Sequence, residues 1–446
     1  MLLPKPASSP VRAILDKALA GGEVSRDEGE VLFRARGADL AAVVAVADQL
    51  RRQVCGDDVT FAVNRNINFT NICYMGCQFC GFAKRMEDKG AEFLSLETVV
   101  ARAREAWDRG ATEVCIQGGL HPKMKGTHYR DILLAIKTEL PDMHIHAFSP
   151  FEIWYGVKKT GMSIADFLAD LKACGLGSMP GTAAEILDTE IRKVLTRDKL
   201  TTDEWVEIIS TAHQVGIPTT ATIMYGHVDG PQHWADHLER LRKIARIRPL
   251  DQADGLQTSL PQIADGLHDQ ADGLHQQADG LSQNQGQAPA GFTEFVPLSF
   301  VHEDAPLYRK DPSSVRPGPT REEVMAMHSV SRIMLYGYID NIQVSWTKLG
   351  PEMAQAMLGC GVNDLGGTLM NESISRAAGA KNGQEVTAHE MVQIIRSAGR
   401  VPVQRNTLYG TVQKFENSDP DMQAPLVDRK GSNPLSFLEK SELKRA

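Results

Sequence analysis

Asn64-Arg65-Asn66-Ile67-Asn68-Phe69-Thr70-Asn71-Ile72-Cys73-Tyr74-Met75-Gly76-Cys77-Gln78-Phe79-Cys80-Gly81-Phe82 joins an alternating, β-prone run to a short loop rich in cysteine. The alternation of Asn66 and Asn68 with Ile67 is the period-2 signature of a strand, and the run Phe61–Asn68 is read as the first one. Working outward, further strands are expected at Glu113–Gln117, His144–Phe148, Leu176–Met179, Pro218–Met224, Phe292–Leu298, Ile339–Ser345 and Val362–Leu365. Helical patterns fall between them, for example Leu96–Arg109, Ser163–Ala173, Thr202–Val215, Trp234–Ile247, Arg321–Leu335 and Pro351–Leu358. Eight strands alternating with helices predict an α/β fold of parallel βα units, a (β/α)8 barrel of the TIM type rather than an open sheet.

Residues 1–60 are expected to form a helical lead-in. Ser25 and Glu28 have the spacing of a capping box, and Asp39-Leu40-Ala41-Ala42-Val43 opens an amphipathic run. The barrel is assigned residues 61–415 and a polar, flexible C-terminal tail residues 416–446. Residues 251–289 break the pattern. Ala-Asp-Gly-Leu recurs at Ala253, Ala264, Ala271 and Ala278 among Gln, His and Ser. One Leu per repeat makes no coiled-coil seam and each repeat carries a Gly, so a low-complexity, disordered insertion is expected. It joins a helix to the next strand, which in a barrel is the face opposite the chemistry.

The cysteines carry the chemistry. Cys73, Cys77 and Cys80 form C-x3-C-x2-C directly after the first strand. Thiolates bind soft metals and iron–sulfur clusters. Zinc and ferredoxin clusters each want four protein ligands at such spacing, and no fourth cysteine lies nearby. Three thiols can hold three irons of a [4Fe–4S] cubane and leave the fourth open to an outside ligand. Gly76 and Gly81 let the loop wrap tightly. The other cysteines, Cys55, Cys115, Cys174 and Cys360, need no ligand role, since free cysteine packs as a small hydrophobe.

Composition narrows the class without naming it. The 446 residues are 42% hydrophobic and 23% charged, with seven cysteines and a net charge of −8. That excludes a wholly disordered or collagen-like chain, and no overall attraction to nucleic acid or anionic lipid is expected. No apolar run is long enough for a spanning helix, and the start, Met1-Leu2-Leu3-Pro4-Lys5-Pro6, does not read as a signal peptide. A reducing cytoplasm, without membrane or nucleic-acid partners, is the expected setting.

The cysteine spacing on a first β-to-α loop resembles the radical S-adenosylmethionine (SAM) superfamily. Further segments, QGGLHP (117–122), HAFSPFE (146–152), GLGSMPGTAAEIL (175–187), TIMYGH (222–227), FTEFVPLSFVH (292–302), QVSWTKLG (343–350), NDLGGTLM (363–370) and QRNTLY (404–409), resemble the family of the second subunit of FO synthase. Sister families of the futalosine route, aminofutalosine synthase and dehypoxanthine futalosine cyclase, share some motifs and form the alternative. The Pro-Gly-Thr-Ala-Ala-Glu and Asn-Ile-Asn-Phe-Thr-Asn segments favour the FO-synthase branch, while an iron–sulfur carrier is the non-enzymatic alternative. The resemblance implies a [4Fe–4S] cluster, SAM, and cleavage of the Cα–Cβ bond of L-tyrosine. The 4-hydroxybenzyl unit would join 5-amino-6-(D-ribitylamino)uracil, with release of 2-iminoacetate. It also implies FO synthase subunit 1 as a separate protein partner, and an electron donor.

The same resemblance distributes roles. Phe79 would pack SAM's adenine, and Gly118 and Gly119 would meet its amino group; the superfamily commonly has an acid next, where this chain has Leu120-His121-Pro122. Glu185 and Arg192 could hold the ribose and carboxylate of SAM, or form an ordinary helix-surface ion pair. Residues expected at strand ends facing the barrel mouth are His121, Tyr225, His227, His302, Gln343, Ser345, Trp346, Asn363 and Asp364. Each of these has a purely structural alternative, and His121 could instead cap its loop.

Overall fold

The computed structural model describes residues 9–196, 199–246 and 290–426. Nine strands are defined there: β1 Asp58–Ala62, β2 Asn64–Asn68, β3 Glu113–Gln117, β4 His144–Ala147, β5 Thr219–Tyr225, β6 Phe292–Ser299, β7 Asp364–Gly367, β8 Val401–Arg405 and β9 Thr411–Lys414. β2, β3 and β4 pair in parallel in that order, and β5 pairs in parallel with β6. Single parallel bridges close the ring. His146 pairs with Ser178, Met179 with Thr219, Phe295 with Ile342, Gln343 with Asp364, and Met370 with Arg65. The result is eight parallel staves, each at one of the eight expected positions. Two of them, around Ser178–Met179 and Ile342–Gln343, are too short to count as strands.

The expected strand Phe61–Asn68 divides at Val63. Its lower part, β1, pairs with β7 on one side and β8 on the other. β9 adds antiparallel to β8. The C-terminal β8–β9 ribbon thus lies against the closed base of the barrel. It does not appear among the expected strands, because only the eight barrel units fit the βα alternation.

Helix starts follow local chemistry. Ser25 and Glu28 make both arms of the expected capping box on helix Arg26–Phe33. Helix Pro150–Thr160 has a second box from Ser149 and Glu152, with Pro150 in its first turn and Gly161 at φ 75° ending it. Such caps contribute on the order of 1 kcal/mol each. The lead-in helices pack on the outer helices of the barrel. Helix Gly37–Cys55 lies along Arg321–Met334, and Arg26–Phe33 along Pro231–Arg246. Phe33 meets Trp234 edge-on, ring centres 5.4 Å apart.

The Ala-Asp-Gly-Leu segment and the tail beyond residue 426 lie outside the described residues. The described chain leaves helix Pro231–Arg246 and re-enters at β6, a helix-to-strand connection at the base. Among the described residues no helix is long and apolar enough to cross a membrane.

Candidate active site

The cysteine loop rises from the C-terminal end of β2 and is tied down on every side. Cys73 N–H donates to the Lys84 carbonyl at 2.9 Å and Tyr74 N–H to that of Leu120 at 3.1 Å. Gln78 N–H donates to the Leu195 carbonyl at 2.9 Å, and the Gln78 carbonyl accepts from Leu307 N–H at 2.7 Å. Two glycines set the contact distance. A Cβ on Gly81 would lie 2.3 Å from the Ala377 carbonyl oxygen. One on Gly119 would lie 2.4 Å from the Ile72 oxygen and 2.9 Å from Cys73 Cβ. The Gln-Gly-Gly turn after β3 is therefore built against the first cysteine.

The three thiols are half-buried. Burial pushes the Cys77 thiol up to about 12, with Lys199 pulling the other way, and burial also raises Cys80. Among the described residues no three His, Cys, Asp or Glu side chains converge tightly enough for a single metal ion. A cubane asks for less, since each thiolate meets a different iron. Three thiols on one loop are the donor set it needs.

Beside the loop stands a group the sequence only partly disclosed. Lys199 Nζ lies 2.6 Å from Glu185 Oε1, 5.4 Å from the centre of the Phe79 ring and 5.1 Å from that of Phe151. Burial works against the Lys199 charge, but Glu185 and Cys77 outweigh it and raise its pKa. Glu185 is held at φ 46° and neighbouring Ala183 at φ 66°, left-handed conformations that side chains seldom adopt. Arg192 does not pair with Glu185. Its guanidinium donates to the carbonyls of Ala183, Ala184 and Leu200, so it braces the strained turn that carries Glu185.

Glu152 extends the site behind the Gln-Gly-Gly turn. Its Oε1 accepts from Gly118 N–H at 2.9 Å while Oε2 accepts from Ser149 N–H at 2.8 Å. Burial pushes its pKa up to about 7 against the Ser149 and Gly118 hydrogen bonds. The Ser149–Glu152 box is local to the helix start, whereas the link to Gly118 is tertiary. His121 caps its own loop, Nδ1 accepting from Lys123 N–H at 3.1 Å, with its ring 5.0 Å from Phe93.

The barrel lumen is not a packed core. Asn66, Asn68, Cys115, Gln117 and Gln343 keep partial exposure. Along their strands, the first four share the parity of Asn64 and Glu113, neighbours on the paired strands β2 and β3 whose side chains bond at 2.9 Å. A cavity of about 10 Å³, the size of one water, is lined by Asn66, Asn68, Asn371 and Ser373 among others, and the Oδ1 atoms of Asn66 and Asn371 have no protein partner. Lys348 faces the same end: burial lowers its pKa while Glu372, Cys80 and Glu185 oppose that. Lys199, Glu152, Lys348 and Glu372 were not among the expected site residues.

Several expected residues lie elsewhere. Tyr225 is fully buried behind β5, its oxygen accepting from Ser299 and its ring 6.0 Å from Trp234. His227 is buried too. Its Nε2 meets the Met224 carbonyl at 3.0 Å and its Nδ1 accepts from Val228 N–H at 2.8 Å, so it closes a turn. Trp346 is buried, with Nε1 donating to the Gly367 carbonyl at 2.8 Å. Ser345 is buried and bonds Thr347 at 2.9 Å. Gln343, by contrast, keeps its place at the lumen, filling the space that a Cβ on Gly366 would need. His302 stays part-exposed, 4.6 Å ring to ring from Tyr308.

Asn363 and Asp364 are at the wrong end for the mouth. The eighth barrel strand, β7, begins at Asp364, two residues later than expected, so both sit at the base. Asn363 Oδ1 accepts from Arg332 at 2.7 Å. Asp364 takes Arg405 Nε at 2.6 Å, and Arg405 also reaches Glu294 at 3.0 Å. The end of that strand is instead Gly366-Gly367-Thr368, leading to Leu369 and Asn371 at positive φ.

Comparison with known proteins agrees with this layout. Residues 67–241 match the radical SAM superfamily and residues 289–418 match the CofH/MqnC C-terminal region. Superfamily membership brings a [4Fe–4S] cluster and SAM, and the thiol loop and its glycine-lined neighbour fit them. The 5-amino-6-(D-ribitylamino)uracil–L-tyrosine 4-hydroxyphenyl transferase of Methanopyrus kandleri is 45% identical over 406 residues, covering 91% of this chain and 98% of that protein. The chain belongs to that transferase family. The FO synthase of Mycobacterium leprae is 50% identical over 383 residues, 86% of this chain but 39% of that protein. The chain thus spans about two-fifths of the length of such FO synthases. Among solved structures, methylornithine synthase (PylB) aligns with TM-score 0.61 at 17% identity over 87% of this chain and 97% of that one. The hydrogenase maturase HydG of Carboxydothermus hydrogenoformans aligns with TM-score 0.61 at 15% identity, over 90% and 80%. At such identity these support the transferase family's barrel fold alone.

Proposed function

We propose that the chain cleaves the Cα–Cβ bond of L-tyrosine and joins the 4-hydroxybenzyl unit to 5-amino-6-(D-ribitylamino)uracil, releasing 2-iminoacetate. The observation that carries this reading is the nearly end-to-end match to the Methanopyrus transferase, which bears that name. The three-cysteine loop at the mouth of an amide-lined barrel supports it.

In this reading Cys73, Cys77 and Cys80 hold the cluster. When bound, cluster and SAM supply one electron and the adenosyl radical that takes hydrogen from the substrate. The protein's own residues bind, orient and exclude water. Phe79 offers a face for adenine, with Lys199 and Glu185 as charged partners on its flank. Gly118 and Gly119 allow the close approach that a side chain would block. Glu152 fixes Gly118 and Arg192 fixes the turn bearing Glu185. Asn66, Asn68, Gln117 and Gln343 present amides to a uracil rich in donors and acceptors. His121 and His302 stand at or near the rim.

The barrel at 61–415, with its lead-in at 1–60 and the insertion at 251–289, works as one catalytic unit. It acts in the cytoplasm, together with FO synthase subunit 1 as a separate protein and with an external electron donor. The test is anaerobic incubation of cluster-loaded enzyme with SAM, dithionite and both substrates, beside Cys77→Ala. Deoxyadenosine release that needs Cys77 is expected. Release that persists in the variant contradicts the cluster assignment.

A further inference from the structure

The inside of the barrel is layered by charge. Register sets Asn66, Cys115 and His146 side by side across β2, β3 and β4, and a bridge adds Ser178 beside His146. Residues paired in register present their side chains to the same side of a sheet, so His146 stands in the lumen with Asn66 and Cys115. One level closer to the base the row is Asn64, Glu113 and His144. There the Glu113 carboxylate accepts from Asn64 and Thr407. The lower row carries a charge and the His146 row carries none.

His146 is fastened at one ring nitrogen. Its Nδ1 meets Ser178 Oγ at 2.7 Å, and among the described residues its Nε2 has no hydrogen-bond partner. Ser178 Oγ also meets His144 Nε2 at 2.8 Å. A hydroxyl has one proton, so Ser178 donates to one ring and accepts from the other. When His146 Nδ1 donates to Ser178, its Nε2 is a bare acceptor. When Ser178 donates to His146, Nε2 carries the proton. The shared hydroxyl thus lets Nε2 present an acceptor or a donor with no change of charge. Burial keeps the ring neutral, pushing His146 down to about 4; Glu113 opposes this, while His144 and Arg405 add to it. In the same row Asn66 Oδ1 is buried without a protein partner.

We propose that His146 Nε2 hydrogen-bonds the ring edge of the ribitylaminouracil and helps to select it. The inference rests on the transferase reading above and names a residue that recognises one of its two substrates. A pyrimidine edge is uncharged and sets N–H donors beside carbonyl acceptors, which a neutral ring of either polarity can meet. The ammonium and carboxylate of tyrosine call for charged partners instead, and the Lys199–Glu185 pair offers them beside the cysteine loop.

Two amide variants separate contact from scaffold. In His146→Asn the amide reaches about as far as Nδ1, which keeps a partner for Ser178 and withdraws the group at Nε2. In His146→Gln the amide reaches about as far as Nε2 and gives up the Ser178 bond. Anaerobic calorimetry on the oxidised, cluster-loaded full chain with SAM measures binding of 5-amino-6-(D-ribitylamino)uracil and, separately, of L-tyrosine. His146→Asn is expected to weaken uracil binding about tenfold, as the loss of one hydrogen bond would, with His146→Gln within about threefold of wild type. Tyrosine affinity should be the same in all three proteins. Equal uracil affinity in all three, equal weakening in both variants, or a greater loss in His146→Gln overturns the proposal; the last is the order a purely structural role would give. A wild type that binds tyrosine but not the uracil would sink the transferase reading, and this contact with it.

Discussion

The Lys199 ammonium lies 2.6 Å from the Glu185 carboxylate, and both side chains are nearly buried beside the cysteine loop. Removing one partner of such a pair strands the other charge out of water, which costs about 3–5 kcal/mol. Lys199→Met should therefore lower the melting temperature clearly and weaken SAM binding to the cluster-loaded enzyme. Calorimetric melting and equilibrium dialysis with SAM check both. A variant with unchanged melting and unchanged SAM affinity would show that the pair is incidental.

Gly119 is a steric prediction. Its Cβ position is filled by the Ile72 carbonyl and by Cys73 Cβ, backbone and a fixed ligand stem that cannot swing aside. Gly119→Val should displace the loop and reduce iron and sulfide per chain after anaerobic reconstitution. Gly76→Ala, where nothing lies within 4 Å, should load normally.

The base of the barrel carries a second buried network. Arg405 joins Asp364 and Glu294, and Tyr409 bonds Glu294. Burial pushes Glu294 up to about 7, Arg405 opposing and Asp364 adding to the rise. Arg405→Met leaves two carboxylates facing one another and should cost several kcal/mol, about the 3–5 kcal/mol of a broken buried pair. Asp364→Asn should lower the melting temperature without changing KM for tyrosine, because Asp364 lies at the closed end. A selective rise in KM would return Asp364 to the substrate site.

Acid should destabilise the fold, and the sign can be worked out. Burial holds His146, His213 and His328 at about 4 and His237 at about 3, below the ordinary 6.5. Below pH 6.5 the unfolded chain binds protons that the folded chain refuses, so stability falls as pH drops from about 6.5 to about 4. Each histidine contributes up to about 1.4 kcal/mol per pH unit. Glu152 and Glu294, raised to about 7, run the other way between 7 and 4.5, but they are fewer. Melting temperatures across this range should fall with acid, and more shallowly in His328→Phe. A flat profile in the wild type would contradict the buried neutral histidines.

The barrel was legible because period-2 and period-3.6 patterns are local. All eight staves occur where alternation placed them, and the Ser25–Glu28 box formed as read. What failed was register and direction. Asp364 looked like a strand end, but backbone pairing starts the strand there, and a two-residue shift turns a mouth residue into a base residue. Tyr225 and His227 end the right strand yet point away from the lumen, a choice made by packing against helix Pro231–Arg246. Lys199 left no local trace at all; only the fold brings it to Phe79 and Glu185. The cysteine loop stood out in the sequence because three thiols within eight residues need no tertiary contact to declare themselves.

The most direct measurement is identification of the product. Cluster-loaded enzyme is incubated anaerobically with SAM, dithionite, ring-labelled L-tyrosine and 5-amino-6-(D-ribitylamino)uracil, and the mixture is read by mass spectrometry. A ribitylaminouracil adduct that carries the labelled 4-hydroxybenzyl unit, formed together with deoxyadenosine, is the expected result. Deoxyadenosine without any tyrosine-derived adduct, with turnover of a futalosine-route substrate instead, would contradict the assignment.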